Sequence, residues 1–383
     1  MKHISERESE LPEAMIGQLL EIASEHKDII SLGPGEPDFP AAKEIVAYTK
    51  KIAGKCNHYS PPGGRRELKE AIAKKLRKEN KIRCDASNIA VTTGSQEALL
   101  LGIAASLDVS EQVIIPSPSF LGYVPTAEIF TAQPVTVPLR ESNNWELDPD
   151  DLKKVADRKK TGALIINTPA NPTGGVISKK TLEEIADLAV EFDFYVFSDE
   201  AYEKIIYEKK HFSMGSLNGM QDYVITLQTF SKSHAMCGYR LGYACGPEEI
   251  IKAMTKMQPY STICAPTISQ MLGVKALQMG DAYTRQMVRE YRRRRDLIHR
   301  RLNEMGLATK KPEGAFYTFS NIKKFDKNSI HFSRNMIKKI KVAVMPGSEF
   351  GRFGEGYIRC SYATDYRLIE KAMDRMEKFL GKK

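Results

Sequence analysis

Short apolar runs alternate with helical segments along most of this chain, and this alternation restricts the possible folds more than any other feature of the sequence. The runs are rich in Val, Ile, Leu and Phe and lack strict polar alternation, as expected of strands that helices cover on both faces. The pattern therefore predicts an α/β fold with a mostly parallel sheet flanked by helices. The predicted strands are Ile89–Thr93, Val113–Pro116, Ala163–Thr168, Tyr195–Ser198, Val224–Leu227 and Leu241–Cys245.

The texture of the sequence changes in the last hundred residues, which indicates a second domain. A chain of 383 residues is long enough for two domains. We expect an N-terminal arm over residues 1–45, a large domain over 46–284, and a small α+β domain over 285–383 to which the arm contributes. The elements predicted in the small domain are a long basic helix, Gly314–Phe319, a helix around Ser329–Ile340, Val342–Met345, Tyr357–Ser361 and a terminal helix Tyr366–Leu380.

Composition excludes several classes of protein. The longest apolar stretches are strand-sized, far below the roughly 20 residues that a membrane span requires, so no membrane association is expected. The N-terminus lacks the apolar segment of a secretory signal. The six cysteines show no C-x-x-C spacing, which argues against a zinc site and a disulfide framework. The sequence therefore predicts a cytoplasmic protein without a bound metal.

The net charge is +9, and much of the positive excess lies in one predicted helix. We interpret this helix as a structural element and not as a nucleic-acid site. Residues 285–311 contain ten basic and three acidic residues, including the run Arg292–Arg295. Apolar residues recur at helical spacing in the same segment, which is typical of a solvated helix face with an apolar underside. No recognised nucleic-acid-binding motif accompanies the charge, so we expect no nucleic-acid partner.

Polar residues that could carry chemistry follow two of the predicted strands. Asp199 ends one strand, and the next strand runs into Thr229, Ser231 and Lys232, with Arg240 eight residues further on. Ligands of open α/β sheets bind at the carboxyl ends of strands. A lysine amine, two hydroxyls and a guanidinium at that edge are the ingredients of a Schiff-base site with a phosphate-binding rim.

Two further turns lie at the same edge of the predicted sheet. Gly94, Ser95 and Gln96 connect a strand to a helix, and a helix N-terminus with a glycine turn and a serine hydroxyl can bind an anion. Asn171 follows another strand, and Pro172 restricts the backbone so that the asparagine side chain is held rigidly. Each turn alone is equally compatible with an ordinary strand-to-helix connection.

Taken together, these segments resemble the class I and II aminotransferases, which are pyridoxal 5′-phosphate (PLP) enzymes of fold-type I. The resemblance covers nearly the whole chain. It rests on three motifs in the family's order: Asn171-Pro172-x-Gly174, Ser198-Asp199-Glu200-x-Tyr202 and Ser231-Lys232-x7-Arg240-x-Gly242.

The resemblance implies roles for residues around the cofactor. Lys232 matches the lysine that forms the Schiff base and later moves the proton, and Asp199 matches the carboxylate paired with the pyridine nitrogen. Tyr202 and Asn171 match the residues that hydrogen-bond the phenolic oxygen. Phe120 matches the aromatic residue stacked on the ring. The positions that match the phosphate-binding groups are Gly94, Ser95, Gln96, Thr229 and Arg240.

The resemblance also implies how substrate and subunits meet. Arg359 matches the arginine that binds the substrate α-carboxylate, and Gly35 matches a glycine whose backbone approaches the same carboxylate. Tyr59 matches a tyrosine that reaches the cofactor phosphate of the other subunit. If so, a homodimer with shared active sites is the minimum functional unit.

The implied activity is transfer of an amino group by a ping-pong reaction. The expected donor is aspartate, glutamate, alanine or an aromatic L-amino acid, and the expected acceptor is a 2-oxo acid such as 2-oxoglutarate.

The same motifs also serve carbon–sulfur β-lyases, which remain an alternative. From a different class, a non-catalytic PLP-binding sensor of a transcription regulator would need an added DNA-binding domain, for which we expect no room. A dinucleotide-binding protein is disfavoured because no G-x-G-x-x-G follows the first strand.

Overall fold

A seven-stranded sheet organises the large part of the molecule, which we describe from a computed structural model. The structure describes residues 4–5 and 28–381, so most of the predicted arm over 1–45 lies outside the described residues. The strands of all three sheets in the described residues are, in chain order, β1 (Ile30–Ser31), β2 (Ile89–Thr92), β3 (Gln112–Ser117), β4 (Gln133–Pro138), β5 (Thr161–Asn167), β6 (Tyr195–Asp199), β7 (Val224–Thr229), β8 (Gly242–Cys245), β9 (Tyr317–Asn321), β10 (Val342–Ala343), β11 (Met345–Pro346) and β12 (Tyr357–Ser361).

The helices follow the strands in the alternating order that the sequence predicts. They are α1 (Lys43–Ile52), α2 (Arg66–Lys75), α3 (Ser95–Ser106), α4 (Tyr123–Ile129), α5 (Pro149–Val155), α6 (Lys179–Phe192), α7 (Phe230–Ser233), α8 (Glu248–Met257), α9 (Thr267–Met279), α10 (Ala282–Glu304), α11 (Ser329–Ile340) and α12 (Tyr366–Leu380). Local signals set several boundaries. The Ser178 side chain accepts a hydrogen bond from the Thr181 N–H at the start of α6, as an N-cap does.

The central sheet has the strand order β2-β8-β7-β6-β5-β3-β4. Neighbours are parallel except β8, which is antiparallel to both β2 and β7. The register pairs Asn167 with Asp199 and Asp199 with Leu227, so the carboxyl ends of β5, β6 and β7 meet at one edge. The prediction of a mostly parallel α/β sheet is therefore confirmed.

Helices cover both faces of this sheet, which explains the lack of polar alternation in its strands. Along β5, Ala163 and Ile165 pack in a cluster with α3, α4 and α8. Leu164 and Ile166, which point the other way, pack in a second cluster with α5 and α6. Both faces of a parallel strand are thus buried, as the sequence predicts.

The C-terminal segment builds two smaller sheets around a separate core. Strands β11, β12 and β9 form an antiparallel sheet, and β1 pairs in parallel with β10. Ile30 and Leu32 pack in one cluster with residues of α10, α11 and α12. Residues 30–32 are therefore attached to the C-terminal part of the chain.

The basic helix α10 differs from its prediction in one respect. Its underside is buried as expected, through residues such as Met287 and Ile298. Arg294 and Arg295, however, are 5% and 0% exposed and do not belong to a solvated face. Arg294 forms two hydrogen bonds of 2.8 and 2.9 Å with the carboxylate of Asp38, and Arg295 binds Glu208 at 2.6 and 2.7 Å.

Among the helices that the structure describes, none is long and apolar enough to span a bilayer.

Candidate active site

A cleft of about 480 Å³ opens at the carboxyl ends of β5, β6 and β7. Residues from the N-terminal segment, the central sheet and the C-terminal sheet line it, so the two parts of the chain meet there. Of the site residues predicted from the sequence, those that line the cleft are Gly35, Gly94, Ser95, Gln96, Phe120, Asn171, Asp199, Tyr202, Thr229, Lys232, Arg240 and Arg359.

Asp199 ends β6, where the strand delivers its carboxylate to the cleft. The Tyr123 hydroxyl donates a hydrogen bond of 2.7 Å to Asp199 Oδ2, and the Ala201 N–H donates one of 3.1 Å to Oδ1. Desolvation raises the pKa of Asp199, while these two hydrogen bonds oppose the rise. The arrangement suits a carboxylate that pairs with a buried cationic group.

Lys232 lies on the one-turn helix α7, directly after β7. Thr229 caps this helix by accepting a hydrogen bond of 3.1 Å from the Ser231 N–H. The Lys232 ammonium donates a hydrogen bond of 2.5 Å to the Gly35 carbonyl oxygen. Desolvation lowers the pKa of Lys232, which increases the fraction of neutral amine at a given pH. A neutral amine is the form that can act as nucleophile or base.

The N-terminus of α3 forms a cradle that suits an anion. Gly94 has a φ of 111°, which favours glycine, and a Cβ added there would lie 2.8 Å from Arg240 Nη2. The Arg240 guanidinium therefore packs against the turn that starts the helix. Helix N–H groups, the Ser95 hydroxyl and a guanidinium together can bind a phosphate.

Two hydrogen-bonded tyrosines also line the cleft. The Tyr202 and Tyr317 hydroxyls share a hydrogen bond of 2.6 Å, and desolvation raises the pKa of each. Gly35 packs closely here, since a Cβ at this position would lie 2.7 Å from Tyr317 Oη. A glycine thus brings the backbone of the N-terminal segment next to the tyrosine pair.

Arg359 of β12 is 2% exposed and points into the cleft. Its Nη1 donates a hydrogen bond of 2.8 Å to Asn171 Oδ1, and its Nη2 donates one to the Gly33 carbonyl oxygen. The guanidinium lies 4.5 Å from the ring centroid of Tyr317 and 4.8 Å from that of Phe350. Its Nε has no hydrogen-bond partner among the described residues. A guanidinium held by aromatic rings is a strong receptor for a carboxylate.

Phe120 and Tyr59 differ in their relation to the cleft. The Phe120 ring lines it and contacts Tyr123 edge to face, with 5.4 Å between centroids. Tyr59 does not line it, and the residue is 80% exposed. The structure thus brings together every predicted site residue except Tyr59, for which the sequence predicts a role in a second subunit.

Sequence reasoning missed the partners that orient the site. Tyr123 and Tyr317 were not expected to have a role, although Tyr123 lies three residues after Phe120. Asn167 was also missed: its side chain accepts from the Asn171 N–H at 2.7 Å and donates to the Asp199 carbonyl oxygen at 3.0 Å. The only signal in the sequence was the position of Asn167 at the end of a strand.

The family model for aminotransferases of class I and II matches residues 27–376. The chain belongs to this aminotransferase family. It is 49% identical over 373 residues to an aspartate aminotransferase of Pyrococcus abyssi, with 96% of each chain covered. It is 46% identical over 385 residues to aromatic-amino-acid aminotransferase 2 of Thermococcus litoralis, with 99% of each covered.

Solved structures agree with this assignment. The fold matches Thermus thermophilus aspartate aminotransferase with maleate at a TM-score of 0.94 and 34% identity, covering 99% of this chain and 100% of the other. The aromatic aminotransferase of Pyrococcus horikoshii matches at a TM-score of 0.90 and 46% identity, covering 96% and 99%. The chain is therefore an amino-acid aminotransferase of fold-type I.

Proposed function

We propose that this aminotransferase uses PLP to move an amino group from an aspartate or aromatic L-amino acid to 2-oxoglutarate. The observation that carries the proposal is the convergence of three charged groups, Lys232, Asp199 and Arg359, on one cleft. The donor classes follow the names of the relatives, one of which is an aspartate enzyme and another an aromatic one.

The residues of the cleft fit PLP, and the cradle at α3 is the clearest support. Gly94 leaves room that a Cβ would fill, next to the Arg240 guanidinium. Gly94, Ser95, Gln96, Thr229 and Arg240 would hold the phosphate. Asp199 would bind the ring nitrogen, Tyr202 and Asn171 the phenolic oxygen, and Phe120 one face of the ring.

PLP supplies an aldehyde that condenses with amines and a ring that accepts the electron pair left when a Cα–H bond breaks. The chain contributes placement of charge and proton transfer. Lys232, with its lowered pKa, is the base for the substrate Cα proton. Asp199, kept oriented by Tyr123, would supply the negative charge that favours a protonated ring nitrogen.

Arg359 is the residue that we assign to the α-carboxylate of both substrates. Its unpartnered Nε and its two η nitrogens offer the forked donor set that binds a carboxylate in two places. The Asn171 side chain already accepts from Nη1 and so restrains the guanidinium. Gly35 would bring the N-terminal segment over the bound substrate.

The active unit in this proposal is a homodimer. Tyr59, Tyr260 and Ile263 are large apolar residues that are 80%, 91% and 43% exposed. Their segments are neighbours, because the Gly63 N–H donates a hydrogen bond of 2.7 Å to Gln258 Oε1. An exposed apolar surface of this kind is typical of an interface, and it would carry Tyr59 to the phosphate of the other subunit.

A half-reaction tests the proposal. The purified protein, reconstituted with PLP and mixed with aspartate or phenylalanine alone, should release a single equivalent of 2-oxo acid per site. Multiple turnovers should begin only when 2-oxoglutarate is added. Continuous release of pyruvate and ammonia from a β-substituted amino acid without an acceptor would instead establish a β-lyase, and no response to any amino acid would refute the proposal.

A further inference from the structure

A buried polar cluster surrounds Glu200, the residue that follows Asp199 at the end of β6. It takes in α2, the turn after it, the segment that follows β6, and the two strands β7 and β8. Glu200 is 0% exposed, and the side chains of Lys75 and His211 are 8% and 9% exposed. The cluster consists of Lys75, Asn80, Glu200, Glu203, His211, Ser213, Gln228 and Tyr243.

Lys75 neutralises one of the two carboxylates of this cluster. Its ammonium donates to Asn80 Oδ1 at 2.8 Å, to Gln228 Oε1 at 2.7 Å and to the carboxylate of Glu203. All three donors of the ammonium are thus used. Oxygen and nitrogen atoms of Glu200, Glu203 and His211 lie within 4.8 Å of one another, as metal ligands can, but Lys75 supplies the positive charge at this place.

Glu200, the second carboxylate, depends on His211 and Ser213. The Ser213 hydroxyl donates to Glu200 Oε2 at 2.6 Å, and His211 Nε2 lies 3.1 Å from the same oxygen. Two neutral donors complete the set: Gln228 Nε2 donates to Glu200 Oε2 at 3.3 Å, and Ser198 Oγ donates to Glu200 Oε1 at 3.0 Å. Burial lowers the pKa of His211, but the nearby carboxylates, Glu200 foremost, offset this and leave the pKa raised. Glu203 also raises the pKa of His211, and Lys75 lowers it.

Glu200 is linked to Asp199 by position and by charge. The two residues are consecutive, and the Glu200 N–H donates a hydrogen bond of 2.9 Å to the Leu227 carbonyl oxygen, which fixes the chain just after Asp199. Desolvation is the main reason that the pKa of Asp199 is raised, and the negative charge of Glu200 raises it further. A positive charge on His211 would weaken this second effect.

We propose, building on the proposed function, that His211 and Ser213 are positioning residues that act through Glu200 to keep the Asp199 carboxylate oriented and ionised toward the cofactor ring. Neither residue lines the cleft. Their effect is therefore transmitted through one turn of backbone and through the electrostatic field of Glu200.

Three variants separate the hydrogen bonds from the charge. His211→Gln retains a nitrogen donor but removes the charge, His211→Leu removes both, and Ser213→Ala removes only a neutral donor. The matched control is His331→Gln, because His331 also contacts a carboxylate, Asp326, at 2.6 Å, but is 67% exposed and lies on α11. All are compared with the wild-type dimer.

The measurements are the dissociation constant of added PLP and the pH at which the absorbance of bound PLP titrates. We expect affinity losses of about threefold for Ser213→Ala, about fivefold for His211→Gln and more than about tenfold for His211→Leu, in the range that lost buried hydrogen bonds produce. The titration pH should shift in both His211 variants. A purely structural role would lower the melting temperature without moving that pH.

Wild-type affinity and an unchanged titration pH in His211→Gln and Ser213→Ala would overturn the inference. These two variants decide the matter even if His211→Leu does not fold. Failure of the wild type and of His331→Gln to bind PLP would instead refute the proposed function, so the two failures are distinguishable.

Discussion

At the scale of single residues, the site depends on contacts between residues far apart in the chain. Tyr123 and Asp199 are separated by 76 residues, and Asn171 and Arg359 by 188, yet each pair is hydrogen-bonded. The motifs identify Asp199 and Asn171 because these residues lie in short recognisable stretches, and the wider family resemblance identifies Arg359. They do not identify Tyr123, since its importance comes only from the register that brings α4 next to the end of β6.

Replacing Tyr123 by phenylalanine tests that contact. Tyr123 lowers the pKa of Asp199 by donating to its carboxylate, so Tyr123→Phe should raise this pKa. Because the ionised carboxylate is the form that would pair with the ring nitrogen in the proposed mechanism, the acid limb of the kcat/KM profile should move to higher pH by about one unit. The control is Tyr195→Phe, at the other end of β6. An acid limb at the wild-type pH would rule out this role for Tyr123.

Lys232 is the residue whose loss should be most damaging. In the proposed mechanism, Lys232→Ala removes both the amine that would condense with the cofactor and the base for the Cα proton, so kcat should fall by at least about 10⁴-fold. The absorbance band of the lysine-bound cofactor should disappear while the protein stays folded. Lys252→Ala is the matched control, since Lys252 on α8 has a side chain that is 70% exposed. Normal transamination by Lys232→Ala would contradict the mechanism.

At the scale of elements, the sequence predicted best where local signals and packing agree. Helix α11 was predicted with its observed bounds, and β2, β5 and β6 differ from prediction by one or two residues at an end. Strand β4 was missed because Pro134 and Pro138 interrupt its apolar pattern. It is an edge strand, where prolines are tolerated.

The run predicted over 342–345 shows a second limit of sequence reasoning. It divides into β10, which pairs with β1, and β11, which pairs with β12. Each of these strands consists of two buried apolar residues. The pattern of hydrophobic residues therefore cannot show that the two strands join different sheets. The division is a property of the tertiary structure, as is the burial of Arg294 and Arg295.

The turn into α3 provides a prediction at the same scale. Gly94→Ala puts a Cβ 2.8 Å from Arg240 Nη2 at a φ of 111°, so it should displace the guanidinium and weaken PLP binding by about tenfold or more. Gly219→Ala is a matched control, because Gly219 has a φ of 78° but a Cβ there meets nothing within 4 Å. Both variants should lose stability, measured by thermal unfolding, but only Gly94→Ala should lose PLP affinity. Equal PLP affinity in the two would contradict the cradle.

At the scale of the whole molecule, two parts of one chain form the cleft, and in the proposed homodimer a second subunit completes the site. Arg359 comes from the C-terminal sheet and Lys232 from the end of the central sheet, so the cleft exists only when both parts are folded against each other. Tyr59 is exposed on the surface that we assign to the dimer. Each site in the dimer would then combine Lys232 of one subunit with Tyr59 of its partner.

Mixing two defective proteins tests this arrangement directly. Lys232→Ala should be inactive, and Tyr59→Ala should retain PLP poorly, because each lacks one component of every site. In a hybrid of the two, one site carries both defects and the other carries none. With random exchange of subunits, half of the dimers are hybrids, so about a quarter of all sites should recover wild-type PLP affinity and activity.

The measurement is PLP retention and turnover after unfolding and refolding the mixture, with separately refolded variants as the control. Recovery no greater than the sum of the separate variants would show that Tyr59 acts within its own subunit or not at all.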